Sequence, residues 1–261
     1  MRIAIVTGAS SGMGREFLRR IDDLKLDEIW GIGLGKEQLD KVKQETKTNL
    51  RVFDWDLTDK ENIQKFKTEL EKNKPQVEWL VNASGFGKFG RYDEIPVEQS
   101  INMIELNCVA LVSMTEYALP YMVNGARIVQ FGSVAAFQPI PYINVYGASK
   151  AFVLNYSRGL NRELKNRNIS VTCVCPFWTK TQFFKRAVDP NNDRVVSKYV
   201  AMYDPVKVID KAYKDSLKRK EITIYGLISN LQTFMVRVLP KSWIMNMWIS
   251  QQGLKKKYKN K

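Results

Sequence analysis

Tyr146 and Lys150 are four residues apart, a spacing that places both side chains on one face of a helix. An ammonium group beside a phenol stabilises the phenolate and lowers the pKa of the tyrosine. Such a tyrosine can act as a general acid or base, and the hydroxyl of Ser133 can hold an oxyanion beside it. The sequence contains no histidine, which excludes Ser-His-Asp triads, imidazole proton transfer and His-ligated zinc. We therefore expect proton transfer by a phenol and no metal ion.

A second candidate site is the glycine-rich stretch 7–14, which lies between a predicted strand and a predicted helix. Gly8 permits a sharp turn, Gly12 lets the backbone approach a pyrophosphate, and Gly14 lets the helix pack closely on the strand. The free N–H groups at the helix N-terminus can then bind the anion. An ordinary strand-to-helix turn is the alternative, but this context favours a dinucleotide site. The loop residues predicted to contact the dinucleotide are Gly8, Ser10, Ser11, Gly12, Met13 and Gly14.

Short apolar segments alternate with amphipathic segments along most of the chain. The predicted strands are 2–6, 28–32, 50–53, 78–81, 126–131, 169–174 and 221–225. One predicted helix follows the glycine-rich stretch, and the others are 37–45, 59–72, 97–123 (one long helix or a pair), 146–166 and 205–218. This alternation predicts parallel strands joined by right-handed crossovers. The expected fold is an α/β doubly wound parallel sheet with helices on both faces.

The Thr-Gly-x-x-x-Gly-x-Gly pattern of 7–14 resembles the cofactor loop of the short-chain dehydrogenase/reductase family, and further family motifs follow in order. These are Asp56-Leu57, Asn82-Ala83-Ser84-Gly85, Ser133, the Tyr-x-x-x-Lys motif from Tyr146 to Lys150, and the segment from Pro176 to Thr181. Ala83 and Ser84 depart from the family's Asn-Asn-Ala-Gly, and Phe177 stands where glycine is usual. The resemblance spans about residues 3 to 225 and implies a single-domain, Rossmann-like oxidoreductase.

The resemblance also implies the site residues. Asn107, Ser133, Tyr146 and Lys150 match the family's catalytic positions. Tyr146 would exchange a proton with the substrate oxygen and Ser133 would hold that oxygen. Lys150 would reach the nicotinamide ribose, and Asn107 would hold a water molecule that links Lys150 to solvent. Beyond the loop, the implied cofactor-binding residues are Lys36, Asp56, Leu57, Asn82, Ala83, Ser84, Tyr146, Lys150, Pro176, Thr179 and Thr181.

The type of nicotinamide cofactor depends on the end of the second predicted strand. An acidic residue there would bind the ribose hydroxyls and favour NAD, but no acid precedes Glu37. Lys36, with Arg15 as a second candidate, can meet a 2′-phosphate. Ser11 and Leu34, however, stand where NADP-preferring members often carry a basic residue. NADP is favoured, and NAD stays open because a rotated Glu37 would reverse the preference.

Aromatic residues cluster after the strands whose carboxyl ends should line the crevice. The predicted substrate-binding residues are Phe86, Ser133, Phe137, Tyr146, Phe177, Trp178 and Phe183, and the polar, turn-rich stretch 183–204 is a predicted lid. Such a crevice suits a hydrophobic ketone or secondary alcohol, such as a steroid, a bile acid or a lipid-like molecule. Core packing is the alternative role for about half of the aromatic residues.

The C-terminal stretch 226–261 is basic and amphipathic. It holds seven of the lysines and arginines and no acidic residue, in a chain whose net charge is +14. Apolar residues repeat at helical spacing up to Pro240, and Trp243 and Trp248 lie in a second apolar segment. This stretch can close over the substrate pocket, pack on a partner subunit or lie weakly on an anionic bilayer. Packing within the protein or its oligomer is favoured, as part of the same domain as residues 1–225, and no nucleic-acid partner is expected.

The composition is that of a globular protein, with 261 residues of which 44% are hydrophobic. Three cysteines and no predicted signal peptide or spanning segment indicate a soluble protein of the cytoplasm. The predicted function is hydride transfer between a nicotinamide cofactor and a hydrophobic ketone or secondary alcohol, in a homodimer or homotetramer. The alternative is a non-catalytic NAD(P)-binding sensor or scaffold, which would not need Asn107, Ser133, Tyr146 and Lys150 together.

Overall fold

The computed structural model describes residues 1–187, 195–196 and 198–257. Its strands form one parallel sheet in the order β3-β2-β1-β4-β5-β6-β7. The strands are β1 (Arg2–Thr7), β2 (Glu28–Gly33), β3 (Leu50–Asp54), β4 (Gln76–Asn82), β5 (Met122–Phe131), β6 (Ser170–Val174) and β7 (Ile222–Thr223). The predicted doubly wound α/β fold is confirmed.

Helices connect consecutive strands, as right-handed crossovers between parallel strands require. They are α1 (Gly12–Ile21), α2 (Lys36–Glu45), α3 (Lys60–Asn73), α4 (Val97–Ile104), α5 (Leu111–Ala118), α6 (Asn144–Glu163), α7 (Phe183–Ala187), α8 (Pro205–Leu217), α9 (Leu227–Val238), α10 (Lys241–Gln251) and α11 (Leu254–Lys257). Pro240 separates α9 from α10, as the sequence predicts. Among the described helices, none combines the length and the apolar character needed to span a bilayer.

The core lies on both faces of the sheet. Along β1, Ile3 and Ile5 belong to one buried cluster, whereas Ala4 and Val6 belong to another. Successive strand side chains point to opposite faces, so a strand covered on both sides reads as an uninterrupted apolar run. This burial explains why the sheet is recognisable from short apolar segments alone.

The sheet order reverses between β1 and β4, where the crossover connections leave to opposite sides. In open parallel sheets, ligands bind in the crevice outside the carboxyl ends of the strands at such a point. The glycine-rich loop follows β1 and residues 83–90 follow β4, so the fold brings these segments to the crevice.

The predicted helix 97–123 differs from the structure at its end. α4 continues into a π-helix over Glu105–Ala110 and then into α5, but a single turn at Leu119–Tyr121 ends the helical region and β5 begins at Met122. Met122 pairs with Val77 of β4, and the pairing is irregular before Arg127 meets Trp79. The prediction was wrong there because sheet pairing overrides the local apolar pattern.

Two further predictions concern the C-terminal third of the chain. The last strand pairs only at two positions, Ile222 and Thr223, which is shorter than the predicted 221–225. The predicted lid 183–204 begins with the short helix α7. An isolated parallel β-bridge pairs Thr179, before the lid, with Tyr203 near its end. Residues 188–194 and 197 of this prediction lie outside the described residues.

Candidate active site

The glycine-rich loop is held tightly between β1 and the segment after β4. Gly8 has φ of +68°, and a Cβ atom there would lie 3.0 Å from the backbone of Ala83 and Ser84. A Cβ atom on Gly14 would lie 2.3 Å from the carbonyl oxygen of Gly8. These contacts require glycine at both positions and hold the first turn of α1 at the crevice.

The N-terminus of α1 is available to an anion. Its N-cap residue, Ser11, makes no side-chain capping bond, and the first turn carries no acidic residue. The first N–H groups of a helix have no partner within the helix, and the helix dipole favours negative charge there. The loop can therefore hold a phosphate group.

A cleft lies at the carboxyl ends of β4, β5 and β6. Predicted site residues in its wall are Met13, Ala83, Ser133, Tyr146, Lys150, Pro176, Phe177, Trp178, Thr179, Thr181 and Phe183. Its wall also contains Gln138, Ile140, Ile143, Gln232 and Gln251, which no sequence pattern marks for substrate contact, together with Phe184 and Val200 of the predicted lid and Trp248 of the C-terminal stretch. Gln232, Trp248 and Gln251 come from α9 and α10, and no local motif marks them because tertiary packing alone brings them here.

Ser133, Tyr146 and Lys150 meet on one side of this cleft. The Ser133 hydroxyl lies near the Tyr146 phenol, whose pKa it lowers, and the Ser133 Oγ accepts a bond of 3.1 Å from the Ala135 N–H. The Lys150 Nζ lies 5.8 Å from the centre of the Tyr146 ring and donates a 2.8 Å bond to the Phe131 carbonyl oxygen. A phenol, a hydroxyl and an amine therefore share one pocket wall.

The pKa of Tyr146 differs in direction from the sequence expectation. Burial raises it to about 12, and the Ser133 hydroxyl opposes this increase. Burial also lowers the pKa of Lys150 to about 8. The expected lowering of the tyrosine pKa by Lys150 does not prevail in the protein alone, because removing the phenolate from water outweighs it.

Asn107 is fully buried in the π-helix rather than in the cleft wall. Its Oδ1 accepts a 3.0 Å bond from the Phe86 N–H, and its Nδ2 donates to the Phe86 carbonyl at 2.9 Å and to the Ser149 Oγ at 3.0 Å. A Cβ atom on Gly85 would lie 2.8 Å from the Asn107 Oδ1 and 3.3 Å from the Lys150 Nζ. Asn107 thus fixes the chain after β4 beside Lys150.

Asn82 also lies in the interior. Its amide donates to the Thr115 Oγ1 at 3.0 Å and to the Gln130 Oε1 at 3.1 Å, which ties β4 to α5 and β5. It does not line the cleft. Ser84 lies where the sheet order reverses between β1 and β4, and its N–H donates to the Thr7 Oγ1 at 3.1 Å.

Two predicted substrate residues do not reach the cleft wall. Phe86 is buried beneath the Arg186 guanidinium, 4.1 Å from the ring centre, because Asn107 holds its backbone on both sides. Phe137 packs in a cluster with Leu154, and Arg237 of α9 stacks 4.8 Å from its ring centre. For these two residues the core-packing alternative describes the structure.

The predicted cofactor-binding residues Lys36, Asp56 and Leu57 do not line the cleft. Lys36 is exposed at the start of α2, and Leu57 is buried. The Asp56 Oδ1 accepts bonds from the Thr58 N–H and Oγ1 at 2.9 and 2.8 Å. Arg15, the second candidate for a phosphate, instead forms a two-oxygen ion pair with Glu45 at 2.5 and 2.6 Å.

The comparisons with known proteins agree with this geometry. The family model described as short chain dehydrogenase matches residues 2–192. Sulfoacetaldehyde reductase 2 of Chromohalobacter salexigens is 34% identical over 187 residues, which cover 69% of this chain and 74% of that protein. The very-long-chain 3-oxoacyl-CoA reductase of Anas platyrhynchos is 29% identical over 283 aligned positions, which cover 99% of this chain and 84% of that protein.

A solved structure is similar over nearly the whole chain. The short-chain dehydrogenase from Sphingobium yanoikuyae in complex with NADPH has a TM-score of 0.77 and 25% identity, and the match covers 93% of this chain and 98% of that one. Together with the family match and the cleft chemistry, these similarities show that the chain belongs to the short-chain dehydrogenase/reductase family, the NAD(P)-dependent oxidoreductases that act on CH–OH and C=O groups.

Proposed function

We propose that this protein transfers a hydride between NADP(H) and a hydrophobic ketone or secondary alcohol, such as a steroid, a bile acid or a lipid-like molecule. The observation that carries the proposal is the cleft. One side of the cleft carries the polar residues Ser133, Tyr146 and Lys150. The remaining wall is mainly apolar and contains Ile140, Ile143, Phe177, Trp178, Phe183, Phe184 and Trp248. Apolar walls with a few convergent polar groups are typical of sites for apolar small molecules.

The residues around the loop fit a dinucleotide. Gly8 and Gly14 leave no room for side chains, and the N-terminus of α1 can receive the pyrophosphate. Ala83, Lys150 and Thr181 in the cleft would hold the nicotinamide end. When bound, the cofactor supplies or accepts the hydride.

The environment of α2 supports NADP rather than NAD. Lys36 is exposed and makes no hydrogen bond or ion pair with another described side chain, so its ammonium is available to a 2′-phosphate. Glu37, the acid that would favour NAD, is instead bonded to Lys41 at 2.7 Å. That bond lowers the pKa of Glu37 and holds its carboxylate on α2.

The mechanism assigns one task to each polar group in the cleft. The Ser133 hydroxyl donates a hydrogen bond to the substrate oxygen, and the Tyr146 phenol gives that oxygen its proton during reduction or removes the proton during oxidation. Lys150, held by the Phe131 carbonyl, brings positive charge beside the phenol. Asn107 positions the Gly85–Phe86 backbone that borders Lys150, and the aromatic wall excludes water from the reacting atoms.

The proposal is tested by turnover and nucleotide binding in Tyr146→Phe. We expect kcat to fall by about 10²- to 10⁴-fold with a panel of apolar ketones and NADPH, while the affinity for NADPH, followed by energy transfer from tryptophan, changes little. Tyr156→Phe is the matched control, because Tyr156 lies on the same helix but bonds Glu116 at 2.7 Å outside the cleft. Undiminished turnover in Tyr146→Phe would reject Tyr146 as the acid/base. Absence of turnover in the wild type across the panel, with NADPH still bound, would favour the alternative, a non-catalytic sensor or scaffold.

The same titration tests the cofactor. Tight binding of NADPH with weak binding of NADH supports the role of Lys36, and the reverse preference would assign NAD. If neither nucleotide bound, the role of the Gly8–Gly14 loop and the enzymatic proposal would both be rejected.

We further propose a single-domain subunit that forms homodimers or homotetramers in the cytoplasm. Exposed apolar side chains on α4 and α6, including Val97, Ile101 and Phe152, support a subunit interface. Three free, buried cysteines fit a reducing compartment. Sedimentation equilibrium tests the association, which a purely monomeric protein would contradict.

A further inference from the structure

Helix α9 turns its apolar side outwards. Leu227, Leu231, Phe234 and Val238 recur at helical spacing and are 85%, 58%, 64% and 63% exposed. The buried side of the same helix contains Ser229, Thr233 and one apolar residue, Val236. A helix that packs on a protein core normally has the opposite arrangement, so this outer stripe is suited to contact with something beyond the subunit.

Helix α10 continues the exposed apolar surface. Trp243 and Met247 are 62% and 55% exposed, whereas Ile244, between them in sequence, is buried. We call these six exposed side chains, Leu227, Leu231, Phe234, Val238, Trp243 and Met247, the outer C-terminal surface. Large apolar side chains exposed in such number within one short segment are typical of interaction sites.

The segment that carries this surface is fixed to the subunit. The Trp248 Nε1 donates a 3.0 Å bond to the Pro141 carbonyl. The Gln252 Oε1 accepts a 3.1 Å bond from the Lys198 N–H, and its Nε2 donates a 2.9 Å bond to the Lys198 carbonyl oxygen. Leu254 is buried. The exposed side chains therefore belong to an anchored helical segment and not to a frayed end.

Charge indicates what covers the surface. Residues 226–261 contain Arg237, Lys241 and five further lysines from 255 onwards, and no acidic residue. A symmetric contact with a second copy would use the same patch on both subunits and oppose two segments that each carry seven positive charges. An anionic surface instead attracts these charges.

We propose that the outer C-terminal surface binds the surface of an anionic phospholipid bilayer. Apolar side chains with a neighbouring tryptophan enter the interface, while lysine and arginine contact lipid headgroups. This mode places the helices in the plane of the interface and needs no spanning helix. It is independent of the oxidoreductase activity proposed above.

The test is cosedimentation of the full-length protein with phosphatidylcholine vesicles that contain or lack about one third phosphatidylserine. We expect binding to the anionic vesicles, weak binding to the neutral ones, and a loss of binding as salt is raised. The double variant Leu231→Glu, Phe234→Glu should lose at least tenfold in partitioning. Both side chains are more than half exposed, so thermal unfolding should be unchanged and confirms that the variant is folded.

The matched control is Tyr92→Glu, Leu217→Glu, which also removes two exposed apolar side chains and adds two negative charges, but outside this segment. It should bind vesicles like the wild type. Equal losses in both double variants, or no sedimentation of the wild type with anionic vesicles, would overturn the proposal. A change of oligomeric state in Leu231→Glu, Phe234→Glu without vesicle binding would also overturn it and would assign the surface to a second copy of the chain.

Discussion

The amine of Lys150 is buried, and its pKa is lowered to about 8 because its charged form loses the solvation of water. In the unfolded chain the pKa of this amine lies near the ordinary lysine value of 10.5. Between these two pKa values the unfolded state binds more protons than the folded state, so the contribution of Lys150 to stability increases as pH rises. Below pH 8 the buried ammonium destabilises the fold.

Lys150→Met removes this titration while keeping a long side chain. We expect the variant to gain stability relative to the wild type at pH 7, and the advantage to shrink by about 2–3 kcal/mol at pH 10. Denaturant unfolding of both proteins without nucleotide, at a series of pH values, measures the difference. An advantage that stays constant with pH would contradict a lowered lysine pKa. The loss of the bond from Lys150 to the Phe131 carbonyl changes the free energy of unfolding by the same amount at every pH.

Lys36 allows the cofactor proposal to be tested at one position. Lys36→Ala should weaken NADPH binding by about tenfold, since one exposed charge-assisted contact is lost, and should leave NADH binding nearly unchanged. Lys43→Ala, an exposed lysine of the same helix, is the control. Parallel losses for both nucleotides would show that Lys36 contributes only general positive charge.

At this scale, spacing along the chain predicts which side chains meet but not their ionisation. Tyr146 and Lys150 share a helix face, and Ser133 follows β5 closely, so their meeting could be predicted from the sequence. The rise of the tyrosine pKa depends on burial, and the position of the amine depends on its bond to the Phe131 carbonyl. Neither is encoded in a local motif.

The element that positions the phosphate loop is the β1–α1 turn, and its glycines differ sharply from a glycine elsewhere. A Cβ atom on Gly14 would lie 2.3 Å from the Gly8 carbonyl oxygen, whereas one on Gly159, in α6, would meet no atom of the described residues within 4 Å. Gly14→Ala must therefore separate α1 from β1. Gly159→Ala only removes a flexible residue from a helix interior.

We expect Gly14→Ala to lose dinucleotide binding and to unfold at a lower temperature. Gly159→Ala should keep its binding and gain about 0.5–1 kcal/mol in the free energy of unfolding. Thermal unfolding and NADPH titration of the two variants measure both effects. Normal binding by Gly14→Ala would mean that the turn tolerates displacement and that the loop is not a close-fitting site.

Element types could be predicted wherever an apolar run is buried by the sheet, as in β1, whose alternate residues enter two core clusters. The prediction fails at the junction of α5 and β5. There Met122 pairs with Val77 while Gly125 takes φ of +89°, so long-range pairing determines where the strand begins. The π-helix that carries Asn107 has no periodic signature in the sequence either, because it adds only one residue to a helical turn.

At the scale of the whole molecule, the C-terminal segment connects the cleft to the outside. Gln232, Trp248 and Gln251 line the cleft, and the outer C-terminal surface lies on other side chains of the same two helices. The sequence left three roles open for this segment. Its contacts with Pro141 and Lys198 favour closure over the pocket without excluding the bilayer, since opposite sides of the helices serve the two contacts.

If both proposals hold, a bilayer-bound subunit takes an apolar substrate from the membrane next to its cleft. Anionic vesicles should then lower the apparent KM for a ketone that partitions into lipid by several-fold, with little effect on a small water-soluble ketone. Steady-state kinetics with NADPH, with and without vesicles, measure the effect. Leu231→Glu, Phe234→Glu should show no vesicle effect while keeping its kcat in buffer, since neither residue lines the cleft. An equal fall in KM for this variant would mean that vesicles act only by dispersing the substrate, and that binding at the bilayer does not feed the cleft.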